Sequence, residues 1–154
     1  ECRTLPSLTF SFWNSPFIIT SKPLYHNILS CETYSWYLHQ FAKETSGSLI
    51  YYPHPEEKYD KWKTLQCEAY YKYVENKFSI EILLSSLKKT VKVVSFFSSA
   101  ITNVRLVNQS LIPESIYLNE IDYVDNLSYI KLSYNKFEED GIHIIKYENT
   151  RQVK

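Results

Sequence analysis

Only two of the 154 residues are glycine, Gly47 and Gly141. Glycine is the default residue for positive φ and for close backbone approach to a phosphate. A phosphate loop, a dinucleotide fingerprint or a nucleophile elbow needs several glycines at short spacing. Such a motif cannot be written with these two, so P-loop, Rossmann and α/β-hydrolase chemistry is excluded as an expectation. Gly47 sits where a helix would stop, and Gly141 sits in a charged turn after Glu138-Glu139-Asp140.

The strongest periodic segment precedes Gly47. Leu24, Ile28, Cys31, Tyr34, Leu38, Phe41 and Thr45 recur at three- and four-residue steps, which places them on one helical stripe. Ser21 is a capping residue and Pro23 suits a first turn. The spacing predicts a helix over 22–45.

Most other segments read as strands. Leu8 to Trp13 alternates apolar and polar, and Phe17 to Thr20 is a short apolar run. Ser48 to Tyr52 is a strand ended by Pro53. Residues 54–62 could form one or two helical turns. Residues 65–74 have period two through Leu65, Cys67, Ala69, Tyr71 and Tyr73, with a helix continued from Glu56 as the alternative. Phe78 to Leu84 alternates again, and Thr90 to Phe97 is rich in Val and Phe. With short turns at 75–77 and 87–89, these predict an antiparallel meander over 65–98. Ile101 to Val107 reads as a strand or a helical turn, and Ser115 to Ile121 as an edge strand after Pro113. Ile130, Leu132 and Tyr134 share one face of a strand in Ser128 to Phe137. The turn at Gly141 leads to Ile142–Tyr147, closing a hairpin over 128–147.

The expectation is one α+β domain over 1–154. Its long N-terminal helix packs on a mainly antiparallel five- to seven-stranded sheet. A chain of this length buries a sufficient core without a metal or disulfide. No linker, repeat or low-complexity segment divides it.

Charge narrows the partners. Seventeen basic residues face seventeen acidic ones. The largest basic cluster, Lys88, Lys89 and Lys92, belongs to a turn. No nucleic-acid footprint is present, and no apolar run has the roughly 20 residues of a membrane span. The chain begins Glu1-Cys2-Arg3 and contains no methionine, which reads as a leader removed or a chain trimmed.

The three cysteines, Cys2, Cys31 and Cys67, have no C-x-x-C spacing. Cys31 lies on the helical stripe and Cys67 on the apolar face of its strand. If the helix packs on that face, the two could form a disulfide in an oxidising compartment. Pairing of either with Cys2, or no bond, are the alternatives. A Cys31–His39 dyad is excluded, since eight helical residues separate them by ~12 Å along the axis. His26, His39, His54 and His143 show no metal-binding spacing, and His54 reads as an exposed loop residue. The pairs Glu56-Glu57 and Glu138-Glu139 lie beside turns, where charge is expected. No cofactor is implied.

Aromatics are abundant: 14 Tyr, 8 Phe and 3 Trp. Trp36, Tyr52 and Tyr70 are expected to stand partly exposed and to serve a protein partner, as Tyr and Trp favour interfaces. The resulting expectation is a non-enzymatic, extracytoplasmic (periplasmic or secreted) protein-binding domain: an immunity protein, a periplasmic partner subunit or a secreted pathogen factor. The alternatives are a carrier or sensor with a cavity for a small apolar ligand, and an enzyme with a Cys/His centre.

Overall fold

The structure, a computed structural model, describes residues 16–19, 28–45, 49–54, 71–73, 79–122 and 128–148. Within them lie β1 (Phe17–Ile19), α1 (Cys31–Glu44), β2 (Leu49–Tyr52), β3 (Tyr71–Tyr73), α2 (Ile80–Ser85), β4 (Lys92–Ser95), α3 (Ala100–Val107), β5 (Ile112–Ile116), a 3-10 turn (Glu120–Asp122), α4 (Ser128–Glu139) and β6 (His143–Ile145). The strands form one six-stranded sheet in the order β3-β2-β1-β4-β5-β6. Every neighbouring pair is parallel. The mixture of helix and strand agrees with the sequence, but the antiparallel sheet, its meander over 65–98 and the hairpin over 128–147 are overturned.

The physical reasons lie in particular segments. A parallel strand covered on both faces needs no alternation and reads as a continuous apolar run. All four residues of β2, Leu49-Ile50-Tyr51-Tyr52, are buried. In β4, Val93, Val94 and Ser95 are buried in succession. Two of the segments that did alternate, Phe78 to Leu84 and Ser128 to Phe137, hold helices instead. In α2 a strand would face Ile80, Ile82 and Leu84 the same way. Instead Ile82 is 55% exposed while the adjacent Leu83 and Leu84 are buried, and Ser79 caps the helix by accepting from the Ile82 amide at 3.4 Å. In α4 the buried residues are Ile130, Tyr134 and Phe137, at helical steps of four and three, and Leu132 is 65% exposed.

Gly141 does sit in the left-handed region, with φ 67°. It stops a helix rather than turning a hairpin. Its amide donates to the Glu138 carbonyl at 3.1 Å and the Ile142 amide to the Phe137 carbonyl at 2.9 Å. This crossed pair is the Schellman closure, and the buried Phe137 and Ile142 occupy its hydrophobic positions.

α1 begins at Cys31, nine residues after the expected start. Ser30 is extended, at φ −68° and ψ 156°, and its side chain accepts from the Thr33 amide at 3.1 Å. The buried Leu29 and Tyr34 stand in the positions of a hydrophobic staple across that cap. Of the predicted stripe, Ile28, Tyr34, Leu38 and Phe41 are buried, joined by Tyr37 and Ala42, which the stripe did not include, while Cys31 is exposed and Thr45 half-buried. Pro113 lies inside β5, not in an interruption. The Ile112 amide donates to the Val91 carbonyl on the β4 side at 3.0 Å, so the donor missing at Pro113 falls on the opposite side, where pairing with β6 starts only at Glu114. The predicted strands at 8–13 and over most of 65–74, and the helical turns at 55–62, lie outside the described residues.

From β1 the chain moves outward to β2 and β3, then returns to β4 on the other side of β1 and continues to β5 and β6. Right-handed crossovers running in opposite directions place α1 on one face and α3 and α4 on the other. Phe96, just beyond β4, meets Tyr34 and Tyr37 of α1 with ring centroids 5.2 and 6.0 Å away.

Candidate functional site

In an open parallel sheet every strand delivers its carboxyl end to the same edge. Where the order reverses, the adjacent crossovers leave on opposite faces and a crevice opens between them. Here the reversal falls between β1 and β4. The residues following the strands at this edge are therefore the first candidates for a site.

β4 ends at Ser95, and Phe96-Phe97-Ser98-Ser99 leads into α3. Ser98 and Ser99 start the helical hydrogen bonding: the Ile101 amide donates to the Ser98 carbonyl at 3.1 Å and the Thr102 amide to the Ser99 carbonyl at 3.2 Å. The Ser98 hydroxyl accepts from the Ala100 amide at 3.3 Å. The positive end of the α3 dipole thus lies at the carboxyl edge of the sheet, where the strand order reverses. Ser95 is fully buried, and its Oγ has no hydrogen-bond partner among the described residues. A buried hydroxyl in that condition costs free energy unless something else satisfies it. Its neighbour in register, Ser115 on β5, is also buried, and its Oγ donates to the Phe96 carbonyl.

β2 is followed at the same edge by the buried Pro53 and the half-buried His54. His54 is thus less exposed than the loop histidine expected from sequence. β5 continues through Tyr117, Leu118 and Asn119 into the 3-10 turn. There the Tyr37 hydroxyl donates to Asp122 Oδ2 at 2.7 Å and accepts from the amide and the side-chain Nδ2 of Asn119 at 2.9 and 3.1 Å. Burial raises the Tyr37 phenol far above its ordinary value, and the Asp122 carboxylate adds to the rise. Tyr37 therefore remains a neutral donor to Asp122. The Tyr134 hydroxyl donates to the Ile116 carbonyl and accepts from the Leu118 amide, both at 3.0 Å, so two phenols from opposite helices hold this one loop.

The other edge of the sheet is built differently. Glu114 is 6% exposed, and Lys92 Nζ donates to both of its carboxylate oxygens at 3.0 and 3.1 Å. His143 Nδ1 stands 3.5 Å from Glu114 Oε1. A cavity of about 570 Å³ opens there below the C-terminus of α1, lined by Phe41, Glu44, Lys92, Glu114, His143 and Lys146 among others. It lies at the amino ends of β4 and β6.

The residues expected to meet a partner are scattered. Trp36 is half-buried, with its ring against Tyr37 and Tyr147 at 4.9 and 6.2 Å. Tyr52 is 4% exposed, because β2 is covered on both faces, and it offers little surface. Tyr70 lies outside the described residues. The disulfide is a correction: Cys31 is a free, exposed thiol in the first turn of α1, so Cys31 and Cys67 are not joined. The buried stripe starts one turn later, at Tyr34, which leaves Cys31 outside it. Cys67, Cys2 and His26 lie outside the described residues. His39 places Nδ1 2.7 Å from the Ser35 carbonyl on its own helix. No group of three metal-ligating side chains occurs among the described residues, and no helix among them is long and apolar enough to cross a membrane.

Sequence reasoning missed Ser95, Ser98, Ser99, Asn119 and Asp122. The available signal was the passage from the apolar run Val91–Phe97 through two serines into Ile101 and Val104, a strand-to-helix turn with capping residues. No protein-family model and no curated protein sequence matches this chain.

Proposed function

We propose that this chain binds a phosphate-bearing, nucleotide-type small molecule across the carboxyl edge of its sheet, at the β1–β4 reversal. One observation carries the reading: six strands, all parallel, in the order 3-2-1-4-5-6, an arrangement whose switch-point crevice is a recurrent nucleotide site. Three local features support it. The first turn of α3 brings the positive end of its dipole to the carboxyl edge, and the amides of Ser98 and Ser99 donate to no acceptor among the described residues. Ser95 Oγ is buried there without a partner among them. His54 follows β2 and brings an imidazole to the same edge.

The glycine count refines the ligand. A dinucleotide's pyrophosphate needs glycines to approach the first strand-to-helix turn closely, and Gly47 and Gly141 are both elsewhere. A mononucleotide, free or activating another group, fits better than a dinucleotide. The protein-binding expectation retains Trp36 and Tyr70 as untried positions, with less support from the buried Tyr52.

Titration of the ¹⁵N-labelled protein with the nucleoside monophosphates tests the reading. The expected result is saturable binding with the largest amide shifts at 95–101 and near His54, weakened severalfold or more in Ser98→Ala/Ser99→Ala. Absence of binding by every nucleotide, or shifts confined to Lys92, Glu114 and His143, would overturn it.

A further inference from the structure

β6 closes the strand order, with β5 as its one strand neighbour among the described residues. Along a strand, the backbone groups of successive residues point to opposite sides. The Ile145 carbonyl accepts from the Tyr117 amide beyond β5 at 2.8 Å, so His143 and Ile145 turn their amides and carbonyls toward β5. Ile144 and Lys146 turn theirs outward, where they meet no partner among the described residues. Such an outer row is a template for a further strand, and lysines commonly blunt it. Here the Lys146 ammonium is drawn over the Tyr117 ring, 5.3 Å from its centroid. Tyr117 packs on Tyr134 of α4, which puts that ammonium on the face of the sheet away from α1.

A pocket adjoins the row on the α1 face. The cavity of about 570 Å³ is lined by His143, Ile144, Ile145 and Lys146 in succession, and by Phe41 and Glu44 of α1. Glu114 takes two bonds from Lys92 and has His143 Nδ1 3.5 Å away, so this carboxylate is already matched. The exposed Glu44 remains. It is the last residue of α1, where the negative end of the helix dipole adds to its charge, and it accepts from Tyr147 Oη at 3.2 Å. A side chain entering from an added strand passes Ile145 and Phe41 and ends at this carboxylate. An aliphatic stem with a cationic tip, as in Lys or Arg, matches that path.

We infer that β6 receives an extended segment of a partner protein as a further strand, with a Lys or Arg of that segment in the cavity against Glu44. Main-chain bonds to Ile144 and Lys146 supply the affinity, and the Glu44 pocket supplies the selectivity. This surface lies away from the β1–β4 reversal and is independent of the nucleotide reading.

The experiment titrates the ¹⁵N-labelled full chain with end-capped peptides of alternating Thr and Val that carry Lys, Arg or Glu at the centre. A fourth probe is the Lys peptide N-methylated at alternate backbone amides, prepared in both phases. The wild type is compared with Glu44→Lys, a change at an exposed position. The expected result is saturable binding with amide shifts centred on 143–146 and 44–45. The basic peptides should bind about fivefold or more tighter than the acidic one, Glu44→Lys should reverse that order, and one phase of N-methylation should abolish binding. Absence of binding, shifts elsewhere, binding that survives both phases of N-methylation, or an order unmoved in Glu44→Lys would overturn the inference. So would a dimer in sedimentation equilibrium that Ile144→Pro dissociates, since a second copy would then fill the row.

Discussion

The two edges of this sheet carry similar amounts of polar chemistry and treat it in opposite ways. At the amino edge the charged groups are matched to one another. Glu114 receives both its bonds from Lys92, with His143 close by, and three adjacent strands are tied together. At the carboxyl edge the groups come from loops and helix starts. They include a buried hydroxyl with no partner among the described residues and a carboxylate positioned by a phenol from the opposite side of the core. A mutually paired cluster adds little to recognition, because a ligand must break existing bonds to use it. A cluster with spare hydrogen-bonding capacity already carries the desolvation cost that a ligand would offset. The Ser95 hydroxyl, buried with no partner among the described residues, makes the carboxyl edge the better candidate, although a cavity opens at the amino edge.

The largest expected effect breaks the amino edge. Lys92→Met leaves the Glu114 carboxylate buried without its bidentate donor. The expected loss is about 2–3 kcal/mol by chemical denaturation at neutral pH, at the low end for a broken buried pair because Lys92 is itself 49% exposed. Glu114→Gln should cost less, since the lysine left behind can be hydrated. Equal losses would mean that Glu114 is hydrated too. Nucleotide affinity should be unchanged in both variants.

The next effect tests the carboxyl edge. Tyr37→Phe removes one bond to Asp122 and two from Asn119, and about 1–2 kcal/mol of stability should go with them. No change in stability would show that the loop is held by its own contacts.

Alkali sharpens the same point. Burial raises the phenols of Tyr37 and Tyr147, and Glu44 raises the second further. In the unfolded chain both titrate near pH 10. Above that pH the folded state holds more protons than the unfolded state, so stability is fully present below about pH 10 and falls as pH rises beyond it. Denaturant midpoints measured on both sides of that pH should decline more steeply in the wild type than in Tyr37→Phe. Parallel declines would remove Tyr37 as a cause.

The smallest stability effect belongs to the residue expected to matter for binding. Ser95→Ala removes a hydroxyl that is buried without a partner among the described residues. It should alter stability by no more than about 0.5 kcal/mol in either direction while weakening nucleotide binding. A large loss of stability would show that the hydroxyl is engaged within the fold.

The amino-acid pattern by itself determined a good deal: the strands at 17–19, 49–52 and 92–95, the buried residues Tyr34, Leu38 and Phe41 of α1, and the positive φ of Gly141. These follow from local rules, the apolar content of short runs and the steric freedom of one glycine. What it left open were segments whose apolar residues satisfy two periods at once. Phe78 to Leu84 and Ser128 to Phe137 match a strand at steps of two and a helix at steps of three and four, and only burial against the sheet selects the helix. Once those two became crossovers, the strands between them had to run parallel, because each chain segment returns to the same edge before it re-enters the sheet. The site was decided later still. Ser95, Ser98, Asn119 and Asp122 are ordinary polar residues in sequence, and Tyr37 lies 85 positions from Asp122, to which its hydroxyl donates. Their proximity arises from the winding of the chain around β1 and β4, a relation between distant segments that no local spacing encodes.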